Sequence, residues 1–195
     1  MNIERADGAK FASKRSAMTQ RLTDIALADG LSQLVLRRAA KRLATSDRML
    51  IYYFGTKSAI VYAVLTCISE RQSAMLAARS SGRPRSPQRL LDKAWSIVSD
   101  PKFVPFMRVW AEVISRGSRG EEPYETLGGQ MISSWLSWLE TRLAMPVGNA
   151  RSRHAAAIVT ILLGATLLEM SHRNSTRGVA RLLGAALRTR ASSHE

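Results

Sequence analysis

Residues 36–57 read LRRAAKRLATSDRMLIYYFGTK. Apolar side chains recur at helical spacing from Leu36 to Leu43, and again from Asp47 to Phe54, where Ser46 can cap the first turn. Residues 44–46 separate the two helices, which is the length of the turn in a helix-turn-helix. We therefore predict a helix-turn-helix, a motif whose second helix enters the major groove of DNA.

The second helix of this motif has two faces of different chemistry. Leu50 and Phe54 lie four residues apart and can pack on the first helix, whereas Arg48 and Tyr52 fall on the opposite face at about 100° per residue. Arginine can donate two hydrogen bonds to guanine. The pattern predicts that Arg48 and Tyr52 face the bases.

The rest of the chain also follows helical spacing, and we predict an all-α fold of about nine helices. Residues 1–60 are expected to form a three-helix DNA-binding head, with residues 1–14 as a disordered basic arm that could otherwise follow the DNA backbone. Residues 61–195 are expected to form a larger helical body for ligand binding and dimerisation. Its later helices are predicted near residues 122–143, 150–173 and 176–190.

The charge and the cysteine content of the chain indicate its partners and its compartment. The chain of 195 residues has a net charge of +14, with 11 basic and 5 acidic residues among the first 60 and 18 and 10 in the remainder. Positive charge favours a polyanion but does not locate its site. The single cysteine, Cys67, and the polar N-terminus favour a cytoplasmic, nucleoid-associated protein.

Membrane and enzyme functions have little support in the sequence. The longest apolar run, residues 155–170, is shorter than the roughly 20 residues of a membrane span. The three histidines are not spaced as metal ligands, and there is no glycine-rich phosphate loop. We expect no enzymatic activity, no cofactor, no metal and no membrane partner.

The helix-turn-helix resembles that of the tetracycline-repressor-like (TetR) family of bacterial regulators. The resemblance lies in residues 36–46, in Leu-Ile-Tyr-Tyr-Phe at 50–54 and in Lys57, and it covers about 45 residues generously counted. Ala44 stands where the family usually has a turn glycine. Val35 and Leu36 stand where the family usually has a threonine. These departures affect the expected operator sequence more than the motif.

The resemblance implies a role for individual residues. Arg37 corresponds to a DNA-contacting position, and Tyr53 and Lys57 correspond to phosphate-contacting positions. The full DNA-binding set is Arg37, Thr45, Ser46, Asp47, Arg48, Met49, Tyr52, Tyr53 and Lys57. Alternatively, Tyr52 and Tyr53 cover the core of the head, and the basic residues of the first helix form an ordinary solvated face.

Family resemblance also implies a homodimer, since two heads read two half-sites. The predicted interface lies on the last two helices, which could instead bury each other within one chain. Its residues are Ile158, Ile161, Leu162, Ala165, Val179, Leu182, Leu183 and Ala186.

Members of the family often hold an effector in the body, and we expect a small hydrophobic one here. Aromatic and methionine side chains can line an apolar pocket, although at helical spacing they also make plain core. The candidates are Trp95, Phe103, Phe106, Met107, Trp110, Met131, Trp135 and Trp138. Arg108 and Glu112 are the nearest residues that could supply a polar contact.

The sequence therefore predicts a sequence-specific transcriptional regulator, a repressor that binds a palindromic DNA operator as a dimer and is released by a small ligand. The alternative is a helical adaptor protein whose degenerate helix-turn-helix does not bind DNA.

Overall fold

A computed structural model describes residues 2–79, 82–172, 175, 176 and 179. This part of the chain holds eight α-helices, one short 3₁₀ helix and no strand, which confirms the all-α prediction. The α-helices are α1 (Asn2–Asp29), α2 (Leu36–Arg42), α3 (Asp47–Phe54), α4 (Lys57–Arg79), α5 (Pro87–Val98), α6 (Val104–Gly117), α7 (Tyr124–Glu140) and α8 (Asn149–Ser171). The 3₁₀ helix is Leu31–Leu34. The predicted ninth helix at 176–190 lies almost wholly outside the described residues.

The chain divides into two compact units. The first comprises residues 1–75 and 108–128, and the second comprises residues 76–107 and 129–195. This division differs from the predicted boundary after residue 60. The reason is that α4 buries Ile60, Val64 and Ile68, so most of its length belongs to the first unit's core.

Helix α1 begins much earlier than the sequence suggested. Residues 2–14, expected as a disordered arm, belong to this helix. Phe11 gives the physical reason, because its ring lies 5.5 Å from the ring of Tyr52 and 4.9 Å from that of Tyr53 (centroid distances). These ring contacts anchor the segment beside α3.

Apolar residues from four consecutive elements form the core of the head. Leu22 of α1, Leu31 and Leu34 of the 3₁₀ helix, Ala39 of α2 and Leu50 of α3 are all buried. Ion pairs lie at the edge of this core. One joins Arg42 Nη1 to Asp29 Oδ2 at 2.8 Å, and another joins Arg71 Nη1 to Asp24 Oδ1 at 2.6 Å.

A carboxylate from α6 holds the turn between α1 and the 3₁₀ helix. Both oxygens of Glu112 accept from the backbone N–H of Leu31, at 3.3 and 3.1 Å. Gly30, which precedes Leu31, has φ +90°, and a Cβ on Gly30 would lie 2.8 Å from Glu112 Oε1. The backbone angle therefore favours glycine, and any larger residue would also displace the Glu112 carboxylate from the Leu31 N–H. Glu112 thus has a structural hydrogen bond, and its expected polar contact with a ligand stays a prediction.

The helices of the second half begin in different ways. Pro87 opens α5 after Ser86, whose side chain makes no capping hydrogen bond. Helix α6 starts at Val104, three residues after Pro101. The carboxylate of Asp100 accepts from the Lys102 N–H at 2.7 Å and pairs with Arg79 at 2.9 Å, which fixes a turn before the helix.

Helix α8 packs against α5 in the second unit. Among the described residues, its 23-residue length and its composition meet the requirements for crossing a membrane, as does the bent pair of α3 and α4 if it counts as one span. The helix is longer than the apolar run measured on the sequence. A core helix of a soluble protein meets the same requirements, so the feature decides nothing by itself.

Candidate nucleic-acid interface

The candidate interface is built on α3, whose bounds match the prediction. Ser46 occupies the N-cap, and its hydroxyl accepts from the Met49 N–H at 3.2 Å. Leu50 and Phe54 are buried on the inner edge. A capped helix anchored along one edge presents its other edge in a fixed orientation.

The outer edge of α3 carries polar, apolar and aromatic groups together. Arg48 is exposed, and Tyr52 is 64% exposed despite its contact with Phe11. Met49 and Ile51 lie on either side of them, each 38% exposed. The predicted outward orientation of Arg48 and Tyr52 is confirmed by these exposures. Such an edge can offer hydrogen bonds to base edges and apolar contact to thymine methyl groups.

Tyr53 points the other way. Its ring is only 7% exposed and packs between Phe11, at 4.9 Å, and Tyr52, at 5.1 Å. The structure thus gives Tyr53 the core-covering position that the sequence offered as an alternative. Its predicted phosphate contact stays a prediction.

The turn before α3 contains a strained residue. Ala44 has φ +52°, a left-handed conformation that residues other than glycine rarely adopt. Glycine would adopt this conformation without a Cβ penalty, so alanine makes the turn more costly. Thr45 is half-buried, while Ser46 and Asp47 are exposed beside it.

Unpaired positive charge surrounds α3. Arg37 and Lys41 of α2 and Lys57 at the start of α4 are exposed, and no carboxylate among the described residues pairs with them. Lys57 lies in the first turn of α4, where the Thr56 hydroxyl accepts from the Ala59 N–H at 3.1 Å. A helix N-terminus beside an ammonium group favours an anion such as a DNA phosphate.

Helix α1 adds positive charge that sequence reasoning assigned to a disordered arm. Lys10 and Lys14 are exposed on this helix. The Arg15 guanidinium lies 5.5 Å from the centroid of the Phe54 ring. Since Phe11 of the same helix contacts Tyr52 and Tyr53, this charged surface lies beside α3. The one signal that could have found it is the single aromatic residue in an otherwise polar N-terminal segment.

The predicted dimer residues divide into two sets. Ile158, Leu162 and Ala165 are buried within this chain, and Ile161 is half-buried. Val179 is half-buried, whereas the predictions at 182, 183 and 186 fall outside the described residues. The large apolar side chains that α8 exposes are Leu167, Leu168 and Met170.

The predicted ligand residues fall into both compact units. Trp110 belongs to the first unit, where its indole N–H donates to Gln72 Oε1 at 3.0 Å. The other predicted ligand residues belong to the second unit, where Trp95 and Trp138 are half-buried and the rest are buried. Phe103 and Trp135 form one of the ring contacts there, with centroids 6.2 Å apart.

Comparison with solved structures identifies the fold. The chain is similar to a protein from Rhodococcus sp. described as a TetR-family transcriptional regulator, with 17% identity, a TM-score of 0.67, and coverage of 90% of this chain and 97% of that one. It is also similar to a transcriptional regulator from Rhodococcus sp. Rha1, with 20% identity, a TM-score of 0.68, and coverage of 89% and 91%. A third likeness is to Salmonella enterica GusR, with 14% identity, a TM-score of 0.61, and coverage of 90% and 92%.

No family model and no curated protein matches the sequence. At these identities the structural likenesses show the fold alone. The chain has the all-helical fold of a TetR-family transcriptional regulator, in agreement with the resemblance seen in residues 36–57.

Proposed function

We propose that this protein is a sequence-specific, DNA-binding transcriptional regulator. The observation that carries the proposal is the outer edge of α3, where Arg48 and Tyr52 are exposed while Leu50 anchors the opposite edge. Unpaired cations at Arg37 and Lys57 lie on the elements either side of α3 and can bind phosphates. Phosphate contacts fix the register of a protein on DNA, and base contacts specify the sequence.

The proposed active species is a homodimer on a palindromic operator. One recognition helix reads too few base pairs, and paired heads read half-sites about 34–36 Å apart or a multiple of that distance. Leu167 and Leu168 of α8 are 45% and 58% exposed in the single chain, an unfavourable state for two adjacent leucines. We assign the partner contact to this face of α8, in place of the inward residues Ile158 and Leu162.

Repression is the proposed regulatory outcome, because a protein that occupies a promoter needs no contact with polymerase. A ligand that prefers a body conformation with the wrong head separation would release the operator. The apolar and aromatic residues of the second unit, Phe103 and Trp135 among them, are the proposed ligand contacts. The protein would act in the cytoplasm, on the nucleoid.

Selection of bound fragments from genomic DNA tests the proposal, using the full chain and a double variant, Arg48→Ala with Tyr52→Ala, as the matched control. We expect the parent to enrich fragments that share an inverted repeat and the control to enrich none. Equal enrichment by both proteins would contradict the docking of α3. Failure of the parent to prefer any duplex would favour the adaptor alternative.

Oligomeric state is tested separately by sedimentation of the full chain. The parent should sediment as a dimer, and Leu168→Glu should sediment as a monomer while its helical circular dichroism stays the same. A parent that remains monomeric at working concentration would contradict the proposed dimer.

A further inference from the structure

Arg142, just beyond the end of α7, uses only part of its guanidinium within the chain. Its Nη1 donates to the Trp138 carbonyl oxygen at 3.1 Å and to Thr141 Oγ1 at 3.0 Å. Its Nε is buried without an acceptor, and Nη2 has no hydrogen-bond partner among the described residues. Nε and Nη2 form one edge of the guanidinium, which can donate two parallel hydrogen bonds to a single carboxylate or phosphate.

A second donor without an acceptor lies in the neighbouring side chain. The Trp138 indole Nε1 is also buried without a partner. The Arg142 guanidinium lies over the same indole, with Cζ 4.6 Å from the ring centroid. A buried donor left unpaired is costly, and more so when it is charged. Two such donors lie in contacting side chains, and a bound acceptor would satisfy them.

Positive charge accumulates here without a counter-charge. The Arg85 N–H donates to the Arg142 carbonyl oxygen at 2.8 Å, which brings the two residues side by side. Burial lowers the pKa of Arg142, and the charge of Arg85 lowers it further. No carboxylate of the described residues forms an ion pair with either arginine. An anion would relieve this repulsion.

A row of aromatic rings begins at the same place. The centroid of Trp138 lies 6.1 Å from that of Trp135, which lies 6.2 Å from Phe103, and Phe103 lies 5.6 Å from Phe106. All four residues belong to the second compact unit, as do Arg85 and Arg142. Phe103, Phe106 and Trp135 are buried, so the half-buried Trp138 is the accessible end of this row. A molecule with an anionic head and an apolar body would meet the charged pair and the Trp138 ring together.

We infer that the second unit binds an amphipathic organic acid, whose oxyanion is held by Arg142 with Arg85 and the Trp138 indole, and whose apolar body lies against Trp138 at the accessible end of the ring row. This deepens the proposed function by naming the chemical class of its effector. The inferred effector therefore adds an acid group to the small hydrophobic molecule that the sequence predicts.

Isothermal titration of the full-length protein without DNA tests the inference with three probes: decanoate, decyl phosphate and decanol. Charged hydrogen bonds are worth about 1.5–3 kcal/mol, so at least one anion should bind about 10-fold or more tighter than decanol. The tighter anion distinguishes a carboxylate ligand from a phosphate ligand. Arg142→Gln should remove the preference over decanol, whereas Arg153→Gln, the same charge change at an exposed position of α8, should keep it.

Three results would overturn the inference: equal binding of both anions and decanol, no binding of either anion, or an unchanged preference in Arg142→Gln. If Arg142→Gln does not fold, Arg142→Lys replaces it. Lysine keeps the charge but cannot make two parallel bonds, so part of the preference should be lost. Operator binding is measured in a separate gel shift, so a protein that binds the acid but no operator contradicts only the proposed function.

Discussion

Two arginine-bearing regions of the first compact unit differ in how their charge is used. Around α3, Arg37 and Arg48 are exposed and have no carboxylate partner. Between α6 and α7, Arg116 Nε and Arg119 Nη2 each lie 2.7 Å from an oxygen of Glu121. The net charge of +14 counts all of these alike. Pairing, not the number of basic residues, therefore distinguishes these two regions, and the unpaired one is the surface that we propose for DNA.

The largest expected effect is in the region around α3, where the arginines have no carboxylate partner. Arg48→Ala should weaken operator binding by about 1–3 kcal/mol and relax specificity at one base position, because a base contact is lost. Gel shifts over operator variants measure this effect. The matched control is Arg119→Ala, which should bind operator as the parent does. Equal losses in both variants would mean that only total charge matters.

In the region between α6 and α7, where the arginines pair with Glu121, Arg116→Ala should lower the free energy of unfolding by about 1 kcal/mol. It should leave operator binding unchanged. Arg116 Nη1 donates to the Tyr124 hydroxyl at 2.7 Å, and its guanidinium lies 3.9 Å from the centroid of that ring. Urea unfolding and gel shift together check both parts. Weaker operator binding by a folded Arg116→Ala protein would contradict the view that only the unpaired arginines contact DNA.

Replacing Ala44, in the turn before α3, tests the geometry of the α3 region without altering any charge. Ala44 has φ +52°. Ala44→Gly removes the strain of a Cβ in this conformation and should raise the free energy of unfolding by about 1 kcal/mol. Thermal or urea denaturation checks the gain. A loss of stability would show that the greater freedom of glycine in the unfolded chain outweighs the strain.

Lys57→Ala should have a smaller effect that does not depend on sequence. Loss of one phosphate contact should weaken all duplexes alike and reduce the slope of log affinity against log salt by about one. Titrations at several salt concentrations, on operator and on unrelated DNA, measure this slope. A loss confined to the operator would indicate a base contact instead.

The smallest expected effect is a pH dependence of stability that arises from Glu121, between α6 and α7. Hydrogen bonds from Arg116 and then Arg119 hold the pKa of Glu121 below its usual value of 4.5. The carboxylate therefore contributes stability above pH 4.5, and this contribution is lost as the pH falls through its lowered pKa. Glu121→Gln should be less stable than the parent at pH 7, and the difference should shrink towards pH 3 in urea unfolding. A difference that is independent of pH would contradict the assignment.

The local features of the head could be predicted from the sequence, because nearby residues decide them. The bounds of α3, its Ser46 cap and the outward Arg48 follow from a capping serine and from apolar spacing. Tyr53 could not be placed this way. Its burial depends on Phe11, which is distant in the sequence and lies on the part of α1 that was expected as a disordered arm.

The second unit was less predictable for a different reason. Helix α8 is apolar on nearly every side, so its spacing could not decide between a dimer contact for Ile158 and Leu162 and their burial within the chain, which the structure shows. The arginine site was missed because Arg85 and Arg142 come together only through a backbone contact between distant segments.

The turn at Gly30 has a consequence for genetics. Any larger residue there would meet both an unfavourable φ of +90° and the carboxylate of Glu112. A random mutagenesis screen for regulators that no longer silence their promoter should therefore recover substitutions at codons 30 and 112. Neither residue belongs to the surface assigned to DNA, so in a genetic map such alleles could be mistaken for a second binding site.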